Sequence, residues 1–169
     1  LLPINNLRFL QTLDCSYNEL VSLEGINNLN NLKQLYCSKN QITSLLPINN
    51  LRSLQIFYCS YNQITSLEPT NKLTNLEILC CSHNKITSLK EMNNLTNLRD
   101  FSCSHNQIYS LEGIDNLRVL QKLFCDHNQI TSFNEIINLT KLEIFCCHNN
   151  KITLPSTINN LTSLRVFLS

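Results

Sequence analysis

The sequence predicts an α/β-class solenoid, with one parallel β-sheet along one side and short 3₁₀ and turn segments returning along the other. Three observations predict it. A 22-residue unit recurs in unbroken phase from Leu7 to Asn160. Each unit holds one short stretch in which inward and outward residues alternate, enough for a single strand. The rest of each unit carries apolar anchors but is too short for a long helix, which leaves turns and 3₁₀ segments.

The elements follow in order from Leu7. Steps of 22 land on Leu29, Leu51, Leu73, Leu95, Leu117, Leu139 and Leu161, each opening a segment Leu-x-x-Leu-x-x-Leu-x-Cys-Ser-x-Asn-x-Ile-Thr-Ser-Leu-x-x-Ile-Asn-Asn. The unit at Leu29 shows it with Leu32, Leu35, Cys37, Asn40, Ile42, Leu45 and Ile48. Alternation sends Leu35 and Cys37 to one side and Tyr36 to the other. Successive strands then pair in parallel about 4.8 Å apart. A lone unit cannot bury its apolar side, whereas stacked units bury Leu, Cys and Ile in continuous columns. The asparagines that follow the strands, Asn18, Asn40, Asn62, Asn84, Asn106, Asn128 and Asn150, supply amides that both donate and accept inside a buried turn.

This motif resembles that of the leucine-rich repeat family, Leu-x-x-Leu-x-Leu-x-x-Asn/Cys-x-Leu, and the period and Ser-Leu-x-x-Ile segment are similar to its short class, typified by internalins and a regulatory subunit of protein phosphatase one. The resemblance covers essentially the whole chain. It implies a right-handed, curved solenoid with its strands on the concave face, acting as a protein-protein interaction module without catalysis or cofactor. An alternative it leaves open is a secreted or surface adhesin or effector of internalin type. The Cys-Ser-x-Asn-x-Ile-Thr-Ser-Leu register also resembles repeat proteins of giant, mimivirus-like DNA viruses of amoebae, which implies a viral protein acting in the host cytoplasm.

Composition narrows the partner class. Hydrophobic residues make up 43%, enough for a sizeable core, and the net charge is +1 from 13 basic and 12 acidic residues. That balance gives no electrostatic reason to expect nucleic acid or an anionic membrane surface. No apolar run approaches the roughly 18 residues of a membrane span. A protein partner is what the resemblance implies.

Seven of the nine cysteines, Cys15, Cys37, Cys59, Cys81, Cys103, Cys125 and Cys147, share one inward position. There a thiol acts as a small hydrophobe, and spacings of 22 do not make the close pairs of a zinc module. Reduced thiols point to the cytoplasm. Cys80 and Cys146 each precede an inward cysteine and are expected to be outward-facing surface thiols, the most reactive of the nine. Three repeats separate them, about 14 Å at strand spacing, too far for a disulfide.

Functional information is expected in the outward columns. The central one reads Asp14, Tyr36, Tyr58, Cys80, Ser102, Phe124 and Cys146; beside it run Thr12, Gln34, Ile56, Ile78, Asp100, Lys122 and Ile144. Tyr36, Ile56, Tyr58, Ile78 and Cys80 make one apolar patch, and Phe124 with Ile144 a second, separated by Asp100 and Ser102. Exposed apolar patches rich in aromatic residues suit a protein interface. A third column, Tyr17, Lys39, Tyr61, His83, His105, His127 and Asn149, puts three imidazoles on neighbouring rungs, with Asp126 and His148 in the adjoining column. It reads first as a polar rim and second as a metal- or pH-responsive scaffold through His83, His105 and His127.

No catalytic constellation stands out. With Gly25 and Gly113 alone there is no glycine-rich phosphate loop, and no Ser-His-Asp or Cys-His pair departs from the repeat grammar. The chain is expected to be a single domain over 1–169, with seven full repeats at 7–160 and partial repeats at 1–6 and 161–169. Neither end supplies a polar cap, so it is read as part of a longer array or as self-associating through its ends.

Overall fold

A computed structural model describes residues 4–152 and 156–169; residues 1–3 of the leading partial repeat lie outside it. Among the described residues, eight three-residue strands follow one another: β1 (Thr12–Asp14), β2 (Gln34–Tyr36), β3 (Ile56–Tyr58), β4 (Ile78–Cys80), β5 (Asp100–Ser102), β6 (Lys122–Phe124), β7 (Ile144–Cys146) and β8 (Val166–Leu168). They form one parallel sheet in sequence order, β1 through β8. The register holds the period to the residue: Leu13 pairs with Leu35, Leu35 with Phe57 and Phe57 with Leu79.

The return segments are short because only a dozen residues separate each strand turn from the next unit. 3₁₀ turns occupy Leu46–Ile48, Glu68–Lys72, Lys90–Asn94, Asn134–Asn138 and Ser156–Asn160. The repeats containing Gly25 and Gly113 make plain turns instead, with these glycines at φ 95° and 105°. At Gly113 the backbone of the preceding repeat closes in: an added Cβ would lie 2.1 Å from the Leu89 carbonyl oxygen. Only glycine fits that approach. In two other repeats the same position holds Pro47 and Pro69, whose fixed φ suits the start of a 3₁₀ turn.

Between sheet and return segments runs one continuous core. Leu35, Cys37, Ile42, Leu51, Leu54 and their successors at 22-residue steps are buried throughout the middle repeats. The inward strand position alternates in size, with Phe57, Phe101 and Phe145 interleaved among Leu35, Leu79 and Leu123, all fully buried. No residue of this set needs a partner outside its own and adjoining repeats, which is the stacking logic of a solenoid.

The asparagine ladder satisfies the turn that follows each strand. The Ile64 N–H donates to Asn84 Oδ1 (2.9 Å), and Asn84 Nδ2 donates to the carbonyls of Cys59 and Cys81 (both 3.0 Å). One side chain thus bonds its own repeat and the one before it. Asn62, Asn106 and Asn128 repeat the pattern. These four amides are buried, so losing one would strand several backbone groups away from water.

Candidate functional site on the strand face

The sheet pleat places residues on the outer side of each strand in columns, and the exact 22-residue register aligns like positions across rungs. Tyr36, Ile56, Tyr58, Ile78 and Cys80 are half-exposed and adjoin one another through β2, β3 and β4. The Tyr36 and Tyr58 rings lie 5.3 Å apart, tilted by 31°. The Tyr36 hydroxyl donates to Gln34 Oε1 at 3.3 Å, so part of the ring's polar end is already engaged. Burial raises the Tyr58 phenol above its usual range, with the Cys80 side chain adding to the effect.

A polar belt bounds this patch. Lys122 Nζ donates to Asp100 Oδ2 at 2.9 Å, and the Ser82 and Ser102 hydroxyls are 2.7 Å apart. Beyond the belt, Phe124 and Ile144 form the second patch, also half-exposed. The register thus sets Phe124 and Ile144 apart from the first group by Asp100, Ser102 and Lys122. The outermost flank pairs charges along the solenoid, Arg99 with Glu77 and Arg165 with Glu143, at the limit of ion-pair distance.

The two outward cysteines require a correction. Cys80 reaches the surface only in part, and Cys146 does not reach it. Cys80 is half-buried, and Cys146 is only 5% exposed. In the register Cys80 sits between Tyr58 and Ser102, and Cys146 between Phe124 and Leu168. Cys146 thus has a large side chain on each adjoining rung, about 4.8 Å away, whereas Cys80 has one, Tyr58, and stays partly open. Burial pushes the Cys80 thiol up to about 11, with the Tyr58 hydroxyl pulling the other way, and burial likewise raises Cys146. The thiols of Cys59, Cys81, Cys103 and Cys125 are driven well above their ordinary value by complete burial, and all nine cysteines are unbridged.

A second assembly lies along the turn after each strand. Tyr17, Lys39, Tyr61, His83, His105, His127 and Asn149 all adopt the left-handed backbone region, with φ between 53° and 57°. For residues other than glycine this conformation costs about 1–2 kcal/mol each. Seven consecutive repeats share it, so the side chains leave the backbone in one direction and stack. Tyr61 on His83, His83 on His105 and His105 on His127 have ring centroids 4.0–4.1 Å apart and planes within 12°. The Lys39 ammonium lies 4.5 Å from the Tyr17 ring centre and 5.5 Å from that of Tyr61, a cation–π continuation of the same stack. Asn149 Nδ2 closes it at 3.0 Å from His127 Nε2. Burial and the neighbouring imidazole of His105 lower the His83 pKa.

Asp126 stands beside this stack. It accepts a 2.6 Å hydrogen bond from Ser104 Oγ, and its other oxygen lies 4.0 Å from His105 Nε2 and 3.9 Å from His148 Nε2. The structure stacks all three histidines grouped by the sequence, and two of them, His105 and His127, also converge with Asp126.

These features define a class, the open solenoid of stacked strand-and-turn repeats with a parallel sheet lining its concave face. The family follows. A leucine-rich repeat region matches residues 50–169, and a two-copy leucine-rich repeat pattern matches residues 8–50. The chain belongs to the leucine-rich repeat family. Among solved structures it is similar to internalin C2 of Listeria monocytogenes, at 31% identity and TM-score 0.76, covering 94% of this chain and 80% of that one. It is similar to a leucine-rich repeat protein of Leptospira interrogans, at 32% identity and TM-score 0.89, covering 96% and 44% respectively. It is also similar to a plant peptide hormone receptor, RGFR1, solved in complex with RGF2, at 25% identity and TM-score 0.86, covering 98% and 29%. The chain thus spans less than half the length of the last two. No curated protein matches it. Among the described residues, no helix is long and apolar enough to cross a membrane.

Proposed function

We propose that this chain is a non-catalytic recognition module that receives a polypeptide partner on its concave strand face. The observation that carries the reading is the apolar patch of Tyr36, Ile56, Tyr58, Ile78 and Cys80, half-exposed on a rigid sheet that needs no rearrangement to present it. Preformed aromatic surfaces bind at little ordering cost. Phe124 and Ile144 form a second point of contact across the Asp100–Lys122 belt. Leucine-rich repeat proteins bind protein partners in general, and the similar plant receptor was solved in complex with RGF2. Nucleic acid and membrane have no part in this reading. The chain acts as a single domain over 1–169.

Cytoplasmic residence, in a host cell if the protein is viral, is part of the same proposal; the support is a core built on unbridged thiols. A second reading, a secreted or surface effector of internalin type, is favoured by the 31% identity to internalin C2. It keeps the same binding face and differs in compartment. Capture of a partner by the intact chain, with Tyr36→Ala plus Tyr58→Ala as the comparison, tests the surface. Loss of capture by a folded double variant is expected, and undiminished capture would refute the assignment. Fractionation of the source cells separates the two compartments.

A further inference from the structure

The repeat grammar breaks in one place more than anywhere else. All four histidines of the chain, His83, His105, His127 and His148, fall on one strip of surface. The position before each left-handed residue is serine in five successive repeats, Ser16, Ser38, Ser60, Ser82 and Ser104; it then becomes Asp126 and His148. The scaffold accepts serine there, so neither replacement is needed for folding. Both departures fall beside the imidazoles.

We propose that His105, Asp126 and His127 form a binding site for a divalent transition-metal ion of the zinc class, with His148 placed to supply a fourth ligand. One ligand atom from each of the first three lies within 4.8 Å of the others. His148 Nε2 lies 3.9 Å from the same Asp126 oxygen that faces His105 at 4.0 Å. At those separations neither imidazole is hydrogen-bonded to the carboxylate, so both retain nitrogens for a common ion. Ligands about 2.0–2.1 Å from a tetrahedral ion are roughly 3.4 Å apart, so small side-chain rotations close the site. The histidine side chains are 41% and 40% exposed and free to make them, while Asp126, 14% exposed, is held from behind by Ser104. Imidazole with a single carboxylate selects zinc-like ions over calcium or magnesium, which take all-oxygen sites. Ser104 orients Asp126, as the outer partners of metal ligands do. This inference is independent of the concave-face reading.

The test is calorimetric titration of the intact, reduced chain with zinc chloride, alongside cobalt titration followed by visible absorption. One zinc per chain is expected. Asp126→Ser should weaken binding at least tenfold, and so should His105→Tyr. Both substitutions install a residue that other repeats carry at that position, and thermal melts will show that they fold. His83→Tyr, which extends the tyrosine end of the stack, should leave zinc affinity within twofold. The proposal is overturned by the absence of saturable zinc binding, by wild-type affinity in Asp126→Ser, or by a loss in His83→Tyr equal to that in His105→Tyr. A strong sulfur-to-cobalt charge-transfer band would also overturn it, by placing the ion on cysteine.

Discussion

From β2 to β4 the concave face carries Tyr36, Ile56, Tyr58 and Ile78; from β5 to β7 the same two columns carry Asp100, Ser102, Lys122, Phe124 and Ile144. One half is an unbroken apolar patch. The other begins with an ion pair and is flanked by histidines and Asp126. Beneath them the scaffold does not change. Asn84 holds its turn with contacts of 2.9, 3.0 and 3.0 Å, and Asn128 with 3.0, 3.0 and 3.1 Å. The lesson is that the inward columns fix geometry so firmly that outward chemistry varies freely from rung to rung. Function in such a chain is a matter of which single positions depart from the repeat.

The largest effect is expected at the close approach in the second half. Gly113→Ala puts a Cβ against the Leu89 carbonyl at positive φ and should cost about 3 kcal/mol, read as a denaturant midpoint. A cost under about 1 kcal/mol would show that the scaffold yields locally. Next come the ladder amides. Asn84→Ala and Asn128→Ala should each destabilise by about 1–3 kcal/mol and agree within about 0.5 kcal/mol, because the two halves share one turn. Unequal losses would break the equivalence of the halves.

Smaller still is the stability effect of the surface. Tyr36→Ala with Tyr58→Ala should move stability by less than about 1 kcal/mol, since both rings are half-exposed and lose their mutual contact and weak polar contacts with Gln34 and Cys80. The smallest response should come from the thiols. With Cys80 near 11, about one molecule in a thousand is ionised at pH 8, so a thiolate-directed reagent should label the native chain slowly. Mass spectrometry should find Cys37, Cys59, Cys81, Cys103 and Cys125 unlabelled until the chain unfolds.

The strand register, the inward Leu and Cys columns and the asparagine ladder were legible in the sequence because period and alternation report directly on burial. So was the alignment of the outward residues into columns, which needs only the register. The left-handed turn was not. Tyr17, Lys39 and Tyr61 carry no local signal for positive φ; Asn149 and the three histidines are of types enriched there, but the period alone does not connect them to the other positions of the column. The conformation is imposed by the ladder and the strand, and the ring stack follows from it. Nor was the cover over Cys146 legible, since it depends on how Phe124 and Leu168 lie across neighbouring rungs. The convergence of His105 and His127 on Asp126, leaving out His83, likewise depends on side-chain direction after the turn, which column membership alone does not specify.

The central claim is that a fixed scaffold presents binding chemistry in its outward columns. It is tested most directly by titrating a captured polypeptide partner against the intact chain and against Tyr36→Ala with Tyr58→Ala, with thermal melts of both. At least about a 30-fold loss of affinity, the roughly 2 kcal/mol of an interface hot spot, is expected at a nearly unchanged melting temperature. Undiminished affinity in a folded double variant would contradict it.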